Sequence, residues 1–273
     1  MLIQLSCLIK ACDRLGFVCA FFDDNQNGII VDTPKGKLWF VNSAVSINLD
    51  TDNNIAQDKY FTYKLLSKDV RMPFSTCYVD PFIREQYSEY ITLTDYSLIT
   101  KEITRSHKFP CIVKSTRQTH GINVLLCQSR QEVTRAVKMI FNPKSKDYDY
   151  TVLAQEYIKP HHEFRLVALD GKIQFMYEKD TTDAQFNGNI SPLHWENARA
   201  KLVDDRTIIS DFQKFVDPIF KTFPIRFAGL DVIVDENNQK YLIEVNSRPG
   251  FANFMRDNGE DEVIKLYENV LQR

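Results

Sequence analysis

An α/β (α+β) fold, built of antiparallel hairpins covered by helices, follows from three features of this sequence. Residues 229–250 place apolar runs on either side of a polar turn at 235–240, the pattern of a β-hairpin. Residues 163–180 repeat it about Asp170-Gly171, a pair suited to a tight hairpin turn. Residues 206–223 carry apolar side chains at helical spacing, which supplies a helix to cover a sheet.

The remaining elements follow in order. Leu2, Leu5, Leu8, Ile9 and Cys12 predict a helix over 1–16, followed by strands at 17–22, 28–32 and 37–41 with turns at 23–27 and 34–36. The polar stretch 50–54 reads as a linker and 54–68 as a second helix. Pro73 and Pro81 mark extended chain, and a helix is expected from about 93. Strands at 109–114 and 122–127 flank a polar loop at 115–121. Ser129 opens a helix, with Glu132 three residues later as a capping box. A strand is expected at 151–158, 181–204 has no period and reads as a loop, and 260–273 is a closing helix.

Composition narrows the function classes. The formal net charge is −2 and the pI about 6.2, with basic residues dispersed, which argues against nucleic-acid binding by bulk electrostatics. Six cysteines, at 7, 12, 19, 77, 111 and 127, form no Cys-x-x-Cys and several sit in apolar runs, as in reduced thiols of a cytoplasmic protein. Lys10, Asp13 and Arg14 cut short the apolar start, so neither a signal peptide nor a membrane span is expected there.

The hairpin at 229–250 carries the most chemistry. With its turn centred on Asn237-Asn238, residues whose numbers sum to 475 face each other, and Asp231 opposes Glu244. Asn246 lies two residues beyond Glu244 and shares its face. Two carboxylates and an amide oxygen make a ligand set for a hard cation such as Mg²⁺. A solvated strand face is the alternative, and the apolar residues on both faces weigh against it. The segment ends in Ser-Arg-Pro-Gly, a sharp turn that puts Arg248 near the acids.

Other segments are weaker alone. Lys114 ends an apolar strand beside a loop offering hydroxyls and backbone N–H groups, an arrangement suited to a phosphate or simply a strand-end surface lysine. That loop is poor in glycine, with Gly121 alone. Gln155-Glu156-Tyr157-Ile158 leads into an extended segment before Pro160 that can present its backbone to a purine edge. Glu163 and Arg165 share a strand face by period two. His161-His162 reads as turn chemistry, since no third ligand lies nearby.

Together, from about Gln57 to Gly250, these segments resemble the ATP-grasp superfamily. Asp58-Lys59, Thr62, Leu65-Leu66 and Pro73 resemble its entry motif, Ile112-Val113-Lys114 its second phosphate-binding lysine, and 155–158 its adenine hinge. Glu163 stands seven residues after Glu156, where the family has its ribose-binding acid. Arg165 matches the arginine at the transferring phosphate, and Asp231, Glu244 and Asn246 match the metal triad. Ile55-Ala-Gln-Asp-Lys, Thr119-His120-Gly121 and Arg165-Leu-Val-Ala are most similar to the ATP-grasp part of cyanophycin synthetases and ribosomal-protein glutamate ligases, and Asn189 resembles an asparagine that precedes the metal hairpin there.

The resemblance implies an ATP-grasp fold of two α/β subdomains clamping ATP, at 55–150 and 151–273, after a truncated α/β unit at 1–54. It implies a cytoplasmic ligase that uses ATP and two Mg²⁺ ions, with Mn²⁺ as a substitute, to activate a carboxylate as an acyl phosphate and join it to an amine of an amino acid or peptide. Lys114, Arg165 and Arg248 would act on the transferring group. Lys59, Lys114, His120, Gly121, Gln155, Glu156, Tyr157, Ile158, Glu163 and Asn189 would hold the nucleotide. A homodimer or a partner subunit is the assembly left open, with no nucleic acid or membrane partner. The glycine-poor loop, with Gln118 and Asn123 where those relatives have glycine, keeps two alternatives open: a small-molecule kinase on the same site and a non-catalytic ATP-binding module.

Overall fold

The structure, a computed structural model, describes every residue except His120 and Asn189. The chain runs through α1 (Ile3–Leu15), β1 (Val18–Phe21), β2 (Gly28–Thr33), β3 (Gly36–Val41), β4 (Ala44–Val45), α2 (Asp50–Gln57), α3 (Lys59–Leu66) and β5 (Ser75–Val79). Next come α4 (Tyr96–Ser106), β6 (Cys111–Ser115), β7 (Val124–Cys127), α5 (Arg130–Ile140) and β8 (Thr151–Glu156). The last stretch holds β9 (His162–Leu169), β10 (Lys172–Asp180), β11 (Arg199–Leu202), α6 (Arg206–Thr222), β12 (Phe227–Val234), β13 (Lys240–Asn246), α7 (Ala252–Asn258) and α8 (Asp261–Leu271). The described residues form three antiparallel sheets, ordered β1-β2-β3-β4, β5-β8-β6-β7 and β11-β10-β9-β12-β13.

Three expectations change. Residues 50–54 are the first turn of α2, where Asp50 and Asp52 favour a helix N-terminus, rather than a linker. The helix expected over 54–68 breaks at Asp58, whose carboxylate accepts from the backbone N–H of Tyr60 and Phe61 and caps α3. Such a cap stabilises a helix start by about 1 kcal/mol. The 181–204 stretch contains β11, which pairs with β10 from Tyr177↔Leu202 to Asp180↔Arg199.

The boundary at 150/151 also moves. β8 lies between β5 and β6, so the first sheet closes only at Glu156. Residues 1–54 do not fold around a core of their own either. Leu5, Leu8, Ile29 and Phe40 share one apolar cluster with Val167, Phe175, Phe251, Phe254 and Tyr267. Phe175 stacks on Phe254 with ring centroids 4.6 Å apart, a pair worth about 0.5–1.5 kcal/mol beyond its burial. A second cluster packs α6 against the other face of the five-stranded sheet, through Phe212, Val216 and Ile219 against Phe164, Leu166 and Leu230. A third lies between the first sheet and α4 and α5. No helix among the described residues is long and apolar enough to cross a membrane.

Candidate active site

The site begins with strand alternation on the five-stranded sheet. One face buries Phe164, Leu166, Met176, Leu230, Val232 and Val245 under α6, and the His162–Glu178 pair closes its end. The other face is divided. Its half bearing Val167, Leu169 and Phe175 is covered by the N-terminal unit, α7 and α8. Its other half carries charge: cross-strand partners Tyr177, Arg165, Asp231 and Glu244 make one row, and Lys179 with Glu163 lies in the next.

The hairpin β12–β13 reaches this arrangement by a route the turn alone does not give. Next to the turn, Val234 pairs with Lys240 and Val232 with Leu242; then a bulge at Ile243 shifts the register, and Asp231 pairs with Glu244. Were Ile243 an ordinary paired residue rather than part of a bulge, Leu242 would share the face of Glu244. With the bulge, Leu242 enters the apolar core while Glu244 and Asn246 face the cleft.

Asp231 is the most heavily bonded group here. Arg165 donates to it through Nε (2.5 Å to Oδ1) and Nη2 (2.8 Å to Oδ2), and Lys179 Nζ stands 3.1 Å from Oδ1. Burial works to raise the carboxyl's pKa, but Arg165 and Lys179 outweigh it and hold it well below the usual carboxylate range. Burial likewise works to lower Arg165 and Lys179, and the carboxylates, Asp231 first, more than reverse it. Glu163, also bonded to Lys179, is pushed up by burial with Lys179 opposing. Gly229 gives Arg165 its place: a Cβ there would lie 3.2 Å from Arg165 Cδ and 3.0 Å from Pro249 Cβ. Arg165 Nη1 takes no bond among the described residues.

The first sheet supplies the opposing wall. Lys114 on β6 is buried and donates to Gln155 Oε1 (2.9 Å), while Gln155 Nε2 donates to Ser75 Oγ (3.0 Å). No carboxylate forms an ion pair with Lys114 among the described residues. Burial and the cation of Lys59 lower its pKa to about 8, with Glu244 and Asp231 across the cleft opposing. Lys59 begins α3, and its Nζ donates to the carbonyl of Gln118 (2.7 Å) and lies 3.4 Å from that of Thr116. It thereby holds the 115–123 loop, in which Gly121 and Asn123 adopt positive φ (73° and 54°).

The structure thus gathers Lys59, Lys114, Gln155, Glu163, Arg165, Asp231, Glu244 and Asn246 around one cleft. Glu156 ends β8 and bonds the backbone of Phe74, and half-buried Tyr157 and Ile158 follow it out of the sheet. Arg248 is exposed and makes no ion pair among the described residues. His120 and Asn189, both expected at the nucleotide, lie outside the described residues. Sequence reasoning missed Lys179. A register counted from the Asp170-Gly171 turn sets Glu178 opposite Glu163; a bulge at Gln174 advances the pairing by one and brings in Lys179. The signal available was the clash of two like charges that the unbulged register implies.

The donor set fits a hard divalent cation. Glu244 is in no ion pair among the described residues; it lies against the Asp231 carboxyl and accepts from the Asn246 amide (3.1 Å), which leaves Asn246 Oδ1 without a bond among those residues. No group of three or more His, Cys, Asp or Glu that could hold a metal ion gathers among the described residues, and the cleft offers two carboxylates with an amide.

Solved structures with this architecture are ATP-grasp ligases. VanG, a D-Ala:D-Ser ligase of Enterococcus faecalis, superposes at TM-score 0.58 with 19% identity, over 81% of this chain and 64% of that one. A bifunctional glutathione synthetase of Pasteurella multocida superposes at 0.55 with 13% identity, over 99% of this chain and 44% of that one. The fold is that of an ATP-grasp protein. Residues 56–270 match the RimK-like ATP-grasp domain, and the chain belongs to that family.

Among curated relatives, a D-alanine–D-alanine ligase of Borrelia hermsii (strain HS1 / DAH) is 24% identical over 237 residues, covering 82% of this chain and 57% of that protein. A probable α-L-glutamate ligase of a Marinomonas species (strain MWYL1) is 23% identical over 163 residues, covering 59% and 50%. The chain spans about half the length of the curated relatives it matches.

Proposed function

We propose that this chain is an ATP- and Mg²⁺-dependent ligase that activates a carboxylate as an acyl phosphate and joins it to the amine of an amino acid or peptide, releasing ADP and phosphate. One observation carries the reading. Lys114, a buried ammonium in no ion pair among the described residues, stands across the cleft from Glu244, a carboxylate likewise in no ion pair among them. A phosphate against the lysine and a metal ion against the glutamate satisfy both groups at once.

Asp231, Glu244 and Asn246 would hold two Mg²⁺ ions, with Mn²⁺ as a substitute, and bound metal would neutralise charge on the β- and γ-phosphates. Lys114 and Lys59 bind the phosphates, and Lys59 exchanges its loop carbonyls for a phosphate oxygen. Arg165, fixed on Asp231, turns its free Nη1 to the transferring phosphoryl group, where placed charge supplies most of the catalysis. Glu163 accepts from the ribose hydroxyls. The chain at 155–158 lines the adenine, and Gly121 lets the 115–123 loop turn over the phosphates and exclude water. Exposed Arg248 receives the substrate's carboxylate. This reading places the protein in the cytoplasm with small amino-acid or peptide substrates, as a homodimer or with a partner subunit.

The test is an ADP-release screen over pairs of amino acids and short peptides, with mass detection of the product and hydroxylamine in parallel. A ligase gives a condensed product and a hydroxamate. ADP release with a phosphorylated alcohol and no hydroxamate identifies a kinase, and ATP binding without any turnover identifies a binding module.

A further inference from the structure

The best-connected cation of the cleft is one to which the reaction above assigns no role. Lys179 lies on β10 with its side chain 5% exposed. Its Nζ bonds Glu163 Oε1 and stands 3.1 Å from Asp231 Oδ1, and Oδ1 already accepts from Arg165 Nε. One ammonium is therefore shared between the acid facing the ribose and an acid facing the metal. A metal ion at Asp231 competes with Lys179 for the same oxygen, and an ammonium displaced from Asp231 has Glu163 as its remaining partner.

We propose that Lys179 is a positioning residue that couples metal binding at Asp231 to ribose binding at Glu163. This rests on the nucleotide reading of the site. With metal bound, Lys179 belongs to Glu163 alone and fixes that carboxylate, ionised, for the ribose hydroxyls. Without metal, Lys179 is divided and Glu163 is held less firmly. Linkage requires the effect to be mutual, so ribose occupancy strengthens metal binding by the same factor.

The coupling is measured with adenosine, which has no phosphates and so no direct contact with the metal. Calorimetric titration of the whole chain with adenosine, with and without saturating Mn²⁺, is expected to show binding about fivefold tighter with metal. In Lys179→Met the adenosine affinity no longer responds to Mn²⁺, while Mn²⁺ itself binds more tightly because its competitor is gone. A damaged fold lowers both affinities, so these opposed movements mark the proposed role. Lys179→Gln gives the same readout should the methionine variant fail to fold, and Lys179→Arg restores the coupling. Wild-type adenosine affinity indifferent to Mn²⁺, or coupling retained in Lys179→Met, overturns the proposal and leaves the nucleotide site standing. Failure of the wild type to bind adenosine at all overturns the nucleotide reading itself.

Discussion

Two buried lysines face the same cleft and titrate in opposite directions. Lys114, on the first sheet, has a neutral amide and a neighbouring cation for company, and its pKa falls to about 8. Lys179, on the second sheet, sits between two carboxylates, and its pKa rises despite equal burial. The sheets have divided the work: one leaves a charge for a ligand to neutralise, and the other settles its charges internally. Burial alone therefore does not tell a structural lysine from a ligand-binding one; the partners do.

The comparison breaks most visibly by removing each charge in turn. Lys114→Met should lower ATP affinity and turnover by about 10³ or more while leaving urea stability unchanged or improved, because an uncompensated buried charge is gone. Lys179→Met should cost about 3–5 kcal/mol in urea unfolding, because it leaves Glu163 and Asp231 short of a cation. Equal stability losses in the two variants would erase the distinction.

The carboxylates should divide in the same way. Glu244→Gln is expected to lower turnover by about 10²–10³ with stability changed by less than about 1 kcal/mol. Asp231→Asn strands Arg165 and Lys179 and should lower stability by several kcal/mol. Denaturation curves beside steady-state rates decide both.

pH sharpens the contrast at lower amplitude. Protonated Lys114 attracts phosphate, so affinity for metal-free ADP should be full below pH 8 and fall towards tenfold per unit above it. Because Lys114 has a lower pKa folded than unfolded, the unfolded chain binds more protons above pH 8, and this group adds stability as pH rises from about 8 to 10.5. Lys114→Arg should remove the inflection in affinity; its persistence would assign it to another group. The smallest effect is expected at Gly229→Ala, where the new methyl crowds Arg165 and Pro249. About 1–2 kcal/mol of stability and a severalfold fall in kcat are anticipated.

Much of this was legible in the sequence because it depends on local period. Both hairpins and the helices at 206–222 and 261–271 follow from local period and turn chemistry, whereas the expected pairing of Asp231 with Glu244 is reached through the bulge at Ile243. What escaped depends on partners far along the chain or on single extra residues. β8 reads as a strand, but nothing within 151–156 says that its neighbours are β5 and β6. Asp58 reads as a helix residue until its carboxylate is seen capping α3. Lys179 stayed hidden because the bulge at Gln174 lies between it and the turn from which its register was counted.

The bulges at Gln174 and Ile243 also limit which length changes these strands can absorb. Were Ile243 paired as an ordinary strand residue, Val234↔Lys240 would stay in register at the turn but the inward and outward sets would exchange beyond it, and Glu244 would point into the layer under α6; deleting Ile243 instead removes the bulge and leaves Glu244 opposite Asp231. Loops tolerate gain or loss of a residue at many positions; β10 and β13 can lose one without exchanging faces only at Gln174 and Ile243. A homologous strand lacking the extra residue would keep the same faces by pairing regularly, and aligning the two without a gap at the bulge would match side chains from opposite faces.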